Sequence, residues 1–246
     1  MHKQKSLTRH LAHALLALSA CALLPSSAFA ADASHAAAIS NPARAADAKD
    51  DAKRKPAIFL EFAQVKPGMK VLDIVAGGGA TSQLLALAVG PTGGVWAQNS
   101  KPNANLEKRL AATPQANLHP VVAAFENPVP AGAGPFDLIT IIMNYHDIVN
   151  TPADRAAMNK ALFDALKPGG RIVVIDNAAK EGTGLTATKD LHRIDEAAVA
   201  AELTKAGFTF DAKNDYLRVP GDPRELPFFK MEGKPDDKFA LRFTKK

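Results

Sequence analysis

From Lys66 onward, short apolar and β-branched runs alternate with stretches whose apolar positions recur at helical spacing. Val71 to Val75, Gly94 to Gln98, Leu118 to Ala123, Phe136 to Met143 and Arg171 to Asp176 read as strands. Their near-continuous apolar character predicts burial on both faces, as in a parallel sheet covered by helices. Between them, Thr81–Val89 carries Leu84, Leu85 and Ala88, Asn103–Ala112 carries Leu106 and Leu110, and Thr151–Leu166 carries Met158, Leu162 and Leu166. The last of these opens on a hydroxyl at Thr151, a proline at Pro152 and an acid at Asp154, a suitable helix start. Repeated βα units with right-handed crossovers imply an α/β fold: a doubly wound, Rossmann-like, mostly parallel sheet in a three-layer αβα arrangement. Ile194–Ala206 predicts a further helix stopped by Gly207. Phe208–Phe210, Asp215–Val219 and Phe239–Phe243 are β-like and closely spaced, which requires antiparallel pairing at the carboxyl terminus.

The amino terminus follows a different pattern. Lys3, Lys5 and Arg9 precede an apolar run from Leu11 to Leu24, Pro25 ends it, and Ala28-Phe29-Ala30 forms a small-x-small cleavage signature. This is the pattern of a secretory signal peptide over residues 1–30, which predicts export, most simply to a periplasm. An alternative is a lipoprotein anchored through Cys21, although Ala22, Leu23 and Leu24 after it are apolar where such signals turn polar. Residues 31–46 read as a flexible linker, and residues 47–246 as the folded domain. Removing Lys3, Lys5 and Arg9 takes the net charge from +5 to about +2, so the basic balance gives poor support for a nucleic-acid partner. Cys21 is the only cysteine, so the chain beyond Ala30 has no disulfide or thiolate chemistry. No apolar run in that region approaches the ~20 residues of a membrane span. A small-molecule substrate is the expected partner.

The densest chemical signal is Val71-Leu72-Asp73-Ile74-Val75-Ala76-Gly77-Gly78-Gly79-Ala80-Thr81. A strand with an internal acid runs into three glycines and then a helix. Glycines let backbone approach a ligand, and a helix start presents unpaired N–H groups. In an open α/β sheet, ligands bind at the carboxyl ends of the strands.

This segment resembles the glycine-rich first motif of class I S-adenosylmethionine-dependent methyltransferases, acidic-x-Gly-x-Gly-x-Gly, with Asp73, Gly77 and Gly79 matching and Val75 at the first glycine position. The flanking runs Val65-Lys66-Pro67-Gly68, Phe136-Asp137-Leu138-Ile139 and Leu166-Lys167-Pro168-Gly169-Gly170 are in methyltransferase order. More narrowly, the chain looks like a group of exported predicted methyltransferases. That likeness rests on Lys53-Arg54-Lys55-Pro56, Asn144-Tyr145-His146, Leu191-His192-Arg193-Ile194-Asp195 and Asp236-Asp237-Lys238-Phe239. The resemblance implies S-adenosylmethionine as cofactor. Ala76, Gly77, Gly78 and Gly79 would border its methionine part, and Asp73 would reach its amino group. Gln98 and Asn99 stand where an acid usually holds the ribose, and Glu126, with Asn127, would lie on the adenine side.

Asn144, Tyr145, His146 and Asp147 follow the fourth strand, where methyltransferases place substrate-facing groups. His146 has the chemistry of a general base, Asp147 could orient it, and Asn144 could position cofactor or nucleophile. The plainer alternative is that Asp147 begins a turn and His146 caps the strand. Asp176, at the end of the fifth strand, and Tyr145, His192 and Arg193 are substrate-side candidates, with Arg193 either binding an anionic group or pairing with Asp195 or Asp176. The loop Glu181–Lys189 is placed to cover a site. His146, Asp147, Asp176 and His192 are ligand-type residues, but their spacing matches no compact metal motif, and no metal is expected. Two other functions compete with methyl transfer: a ligand-binding protein that keeps the fold without turnover, and an NAD(P)-dependent oxidoreductase. The second wants Gly-x-Gly-x-x-Gly/Ala, yet Gly77 and Gly79 lead to Ser82.

Overall fold

A computed structural model describes residues 27–246, with side chains from residue 33 onward. The leader expectation therefore falls almost wholly outside the described residues, as does Cys21. Seven strands form one sheet: β1 (Lys70–Ile74), β2 (Gly94–Asn99), β3 (Leu118–Val122), β4 (Phe136–Ile142), β5 (Leu166–Asn177), β6 (Thr209–Asn214) and β7 (Lys238–Thr244). Their order is β3-β2-β1-β4-β5-β7-β6. The first five are parallel, and β7 runs antiparallel to both β5 and β6. The order reverses between β1 and β4, which opens a crevice at their carboxyl ends.

Alternate residues of each strand serve opposite faces of the sheet, because side chains along a strand point alternately up and down. Leu72, Ile74, Ile139, Ile141, Ile172 and Val174 join one apolar cluster, while Val71, Leu138, Val173 and Ile175 join the other. The described residues include nine α-helices, of which several cover these faces: α1 (Ser27–Ile39), α2 (Ala48–Arg54), α3 (Pro56–Phe62), α4 (Ala80–Val89), α5 (Ala104–Ala112), α6 (Tyr145–Val149), α7 (Arg155–Ala165), α8 (Thr188–Leu191) and α9 (Glu196–Lys205). Met158 and Leu162 of α7 and Val199 and Leu203 of α9 pack on the first face. Leu60 of α3, Leu84 and Leu85 of α4 and Leu106 of α5 pack on the second. The doubly wound, three-layer architecture expected from the pattern is the one observed. Among the described residues, no helix is long and apolar enough to cross a membrane.

Three local expectations are corrected. Residues 31–46 are not a flexible linker: most of α1 lies in this stretch, and its His35 ring nitrogen hydrogen-bonds Val65 O at 3.0 Å. Ala38 is 2% exposed, and buried Arg44 clamps Asp51 with two nitrogens. Alanine is the strongest helix former, and its short side chain lets α1 lie close to α4 without the large apolar residues that betray packing in a sequence. The helix expected from Thr151 starts at Arg155, because Asp154 is the residue whose carboxylate accepts from Ala156 N and Ala157 N. Asp215–Val219 is not a strand: Asn214 Oδ1 accepts from Tyr216 N and turns the chain.

Candidate active site

The glycine-rich turn lies between β1 and α4, at the reversal of strand order. Asp73 is 2% exposed, and both its oxygens are taken: Ser82 Oγ donates to one at 2.6 Å and Thr140 Oγ1 to the other at 2.7 Å. Burial pushes its carboxyl up to about 6, with the two hydroxyls pulling the other way. Asp73 therefore braces β1 to α4 and β4.

Val75, at the position where the motif wants glycine, has φ 54°. That left-handed conformation is rare for a β-branched residue and persists only where neighbours over-determine it. Two amides do so: Gln98 Oε1 accepts from Val75 N, and Asn144 Nδ2 donates to Val75 O, both at 3.2 Å. Asn99 grips Gly77 from both sides, accepting from its N–H at 2.9 Å and donating to its carbonyl at 3.2 Å. Arg109 Nε donates to Gly78 O at 2.7 Å, and its other nitrogens reach Asp47 and Gln83. Gln98 also donates to Ala123 O. Gln98 and Asn99 thus shape the loop through their side-chain amides.

Once these carbonyls are tied, the loop presents its N–H side. Among the described residues, Gly78 N has no protein acceptor, and the first-turn N–H groups of α4 follow it. Gly77 has φ 54°, and a Cβ built on it meets nothing within 4 Å. Gly79, at φ 81°, is tight instead, because a Cβ there would lie 2.5 Å from Leu106 Cδ1. Ala76 is half-buried and fixed by its N–H to Gln98 O. Glu126 is exposed beyond β3, where it accepts from Asp154 N at the start of α7.

A second group of polar residues gathers at the ends of β4 and β5. Asp176 is fully buried, and it accepts from His146 N at 2.9 Å and Asn177 N at 2.8 Å. Its Oδ1 lies 2.6 Å from His146 Nδ1. The other ring nitrogen of His146 is 3.2 Å from Asp147 Oδ1, which is also 3.3 Å from His192 Nδ1. Burial alone would depress His146, but hydrogen bonds and charge from Asp147 and Asp176 outweigh it and lift the ring to about 9. The contact with His146 in turn holds Asp147 below the usual carboxylate range, with His192 adding to it. Topology thus brings together His146 and Asp147 of α6, Asp176 near the end of β5 and His192 of the turn after α8. Asn144, the amide on Val75, joins this group to the glycine loop.

Two candidates point elsewhere. Tyr145 has no exposed surface; its hydroxyl donates to Glu202 at 2.7 Å and accepts from Asn159 at 2.7 Å. Burial first, and the Glu202 charge second, push its ionisation far above the ordinary tyrosine range. Arg193 is 1% exposed, ion-pairs with Asp222 at 2.8 Å, and donates to Ala178 O and Leu226 O. Neither is available to a substrate. The loop Glu181–Lys189 is likewise pinned rather than free, since Asp195 Oδ2 accepts from Gly182 N and Gly184 N. The supporting residues missed from sequence are Ser82, Thr140, Arg109 and Asp47. Nothing local marks them: Thr140 is 67 positions from Asp73, and Asp47 is 62 from Arg109.

Residues 52–194 match the ubiE/COQ5 methyltransferase family. The ubiquinone/menaquinone biosynthesis C-methyltransferase UbiE of Burkholderia cenocepacia is 31% identical over 120 residues, covering 49% of this chain and 48% of that protein. The Cupriavidus metallidurans protein of the same name is 30% identical over 114 residues, covering 46% and 45%. The chain thus spans about half the length of the curated relatives it matches. Among solved structures, a SAM-dependent methyltransferase from Aquifex aeolicus superposes with a TM-score of 0.57 at 18% identity, covering 77% of this chain and 88% of that one. A TehB-like SAM-dependent methyltransferase from Corynebacterium glutamicum gives 0.52 at 18% identity, covering 84% and 100%. These likenesses establish a shared fold.

Proposed function

The chain belongs to the ubiE/COQ5 methyltransferase family, and from that premise we propose that it transfers the methyl group of S-adenosylmethionine to a small-molecule acceptor. One observation carries the reading. At the end of β1, the backbone at Gly77 faces open space where any side chain would project, beside the free N–H groups that begin α4. This cradle fits the amino-acid end of the cofactor: Gly77 allows close approach, whereas the side-chain direction of Gly78 is closed by Asn105, and Gly78 N with the start of α4 supplies donors for a carboxylate. When bound, the cofactor supplies a methyl group already activated by its sulfonium. The protein's task is then to hold donor and acceptor in line and keep water away.

Asn144 is placed to transmit loop position to the acceptor side, since it binds Val75 O and stands one residue before α6. Asp147 and His192 are the partly exposed members of the polar group and would meet the acceptor, while Asp176 positions His146 behind them. Phe229 packs against His192 with ring centroids 5.5 Å apart, and Phe228 and Phe229 are both more than half exposed. That surface suits a flat, partly apolar acceptor bearing an oxygen.

The commitment of Asn99 to Gly77 favours a second reading, a binding protein that retains the cradle without turnover. Calorimetry of the full chain with S-adenosylmethionine and with its demethylated product tests the cradle directly. Gly77→Ala should weaken binding by roughly 10-fold, both by filling the open space and by straining the φ 54° turn, with the circular dichroism unchanged. Affinity retained in that variant would place the pocket elsewhere, and binding with no methyl transfer to any acceptor would favour the second reading. The amino-terminal pattern of Lys3, Lys5, Arg9, the apolar run and Ala28-Phe29-Ala30 supports export of this protein, most simply to a periplasm.

A further inference from the structure

Among the described residues, one group brings three ligand-type atoms of His and Asp to within 4.8 Å of one another: His146, Asp147 and His192. We propose that these three residues bind a borderline divalent transition-metal ion such as zinc or cobalt, with Asp176 holding His146 in the ligating orientation.

The donor chemistry selects the ion class. Two imidazoles and one carboxylate suit zinc, cobalt, nickel or ferrous iron, whereas magnesium and calcium prefer oxygen-only shells. Two of the three donor spacings are those of a coordination sphere, and the third lies within 4.8 Å. Bonds of ~2.0–2.1 Å at tetrahedral angles separate neighbouring donors by about 3.3–3.4 Å. Asp147 Oδ1 lies 3.2 Å from His146 Nε2 and 3.3 Å from His192 Nδ1.

The surroundings are built for ligation rather than for a chance surface contact. Asp176 is wholly buried, and its 2.6 Å contact at His146 Nδ1 keeps a proton there, which turns the lone pair of Nε2 toward the group. A carboxylate behind a ligating histidine is the usual outer support of such a site. His192 is held in a left-handed conformation at φ 50°, strained for a residue with a side chain. Asn177 Nδ2 donates to His192 O at 3.0 Å, and Phe229 packs on its ring, so two neighbours maintain that strain. On the outer side, Asp147 is half exposed and His192 is 34% exposed. Three protein ligands and an open face describe a site that keeps one position for water or for an oxygen donor. If the methyl-transfer reading above holds, that position faces the acceptor, and an acceptor oxygen would occupy it.

The test needs neither cofactor nor acceptor, so its outcome is independent of the proposed function. Untagged full-length protein, stripped with chelator, is titrated calorimetrically with zinc chloride and, in parallel, with cobalt chloride while visible absorption is followed. One equivalent should bind, with cobalt bands of a nitrogen–oxygen site. Asp147→Asn and His192→Ala should each weaken binding by ~10-fold or more, and Asp176→Asn by roughly 10–100-fold. His119→Ala, at a histidine on β3 outside the cluster, should leave it unchanged. Asp147 and His192 are partly exposed, so their variants decide the matter even if Asp176→Asn fails to fold. Absence of stoichiometric binding of both ions would overturn the proposal and leave a shared proton as the cation of this cluster. Equal affinity in Asp147→Asn, His192→Ala and wild type would overturn it as well.

Discussion

Replacing Asp73 by Asn isolates the cost of burying one charge in the middle of the sheet. The carboxyl is 2% exposed, accepts from Ser82 and Thr140, and is raised by burial from 3.8 to about 6. Below about pH 3.8 it is neutral in both the folded and the unfolded chain and does not oppose folding. As pH rises toward 6, the unfolded chain releases the proton first, so stability is progressively lost across that window. A shift of about two units at ~1.4 kcal/mol each amounts to about 3 kcal/mol, fully expressed above roughly pH 7. Asn has no charge to bury, and the two hydroxyls can reorient to serve its amide. Urea denaturation of wild type and Asp73→Asn across about pH 2.5 to 8 measures the effect, because every other titrating group is common to both proteins. The stability of the variant relative to wild type should rise by about 3 kcal/mol between the acid end and neutrality and then level off. A relative stability that stays flat through the window refutes the reasoning. One that falls with pH would mean the hydroxyls outweigh burial and hold Asp73 below the ordinary carboxylate range.

Tyr145→Phe removes the acceptor of Asn159 Nδ2 in a wholly buried place where Asn159 Oδ1 already lacks a partner. The expected loss is about 2 kcal/mol, a melting point lower by roughly 4–8 °C, without change in cofactor binding; an unaltered melting point would show that solvent reaches this pocket. Export predicts that protein recovered from the periplasmic fraction begins at Ala31, within α1, as read by amino-terminal sequencing. Recovery from the cytosol with an intact start at Met1 would reject it.

Much of the architecture was legible in the sequence because burial leaves a local record. A strand covered on both faces must be apolar throughout, as Val71-Leu72 and Ile172-Val173-Val174 are, and the glycines after β1 announce a turn that needs bare backbone. The antiparallel carboxyl terminus was also expected, but partly from a strand at Asp215–Val219 that does not form; a long connection from Asn214 to Lys238 joins β6 to β7 instead. What the pattern could not express was the choice of partners among polar side chains. Asp73 showed no partner until the sheet set Thr140 beside it; Gln98, Asn99 and Asn144 became braces only when the ends of β2 and β4 met the loop around Val75. Arg193 and Asp195 are near neighbours in sequence, yet Arg193 turned to Asp222 while Asp195 bound Gly182 and Gly184. Hydrophobic periodicity and turn chemistry act over a few residues, so reading along the chain recovers them. Hydrogen bonds and charges are satisfied across tens of residues, and which donor meets which acceptor is decided only when topology brings the strand ends together.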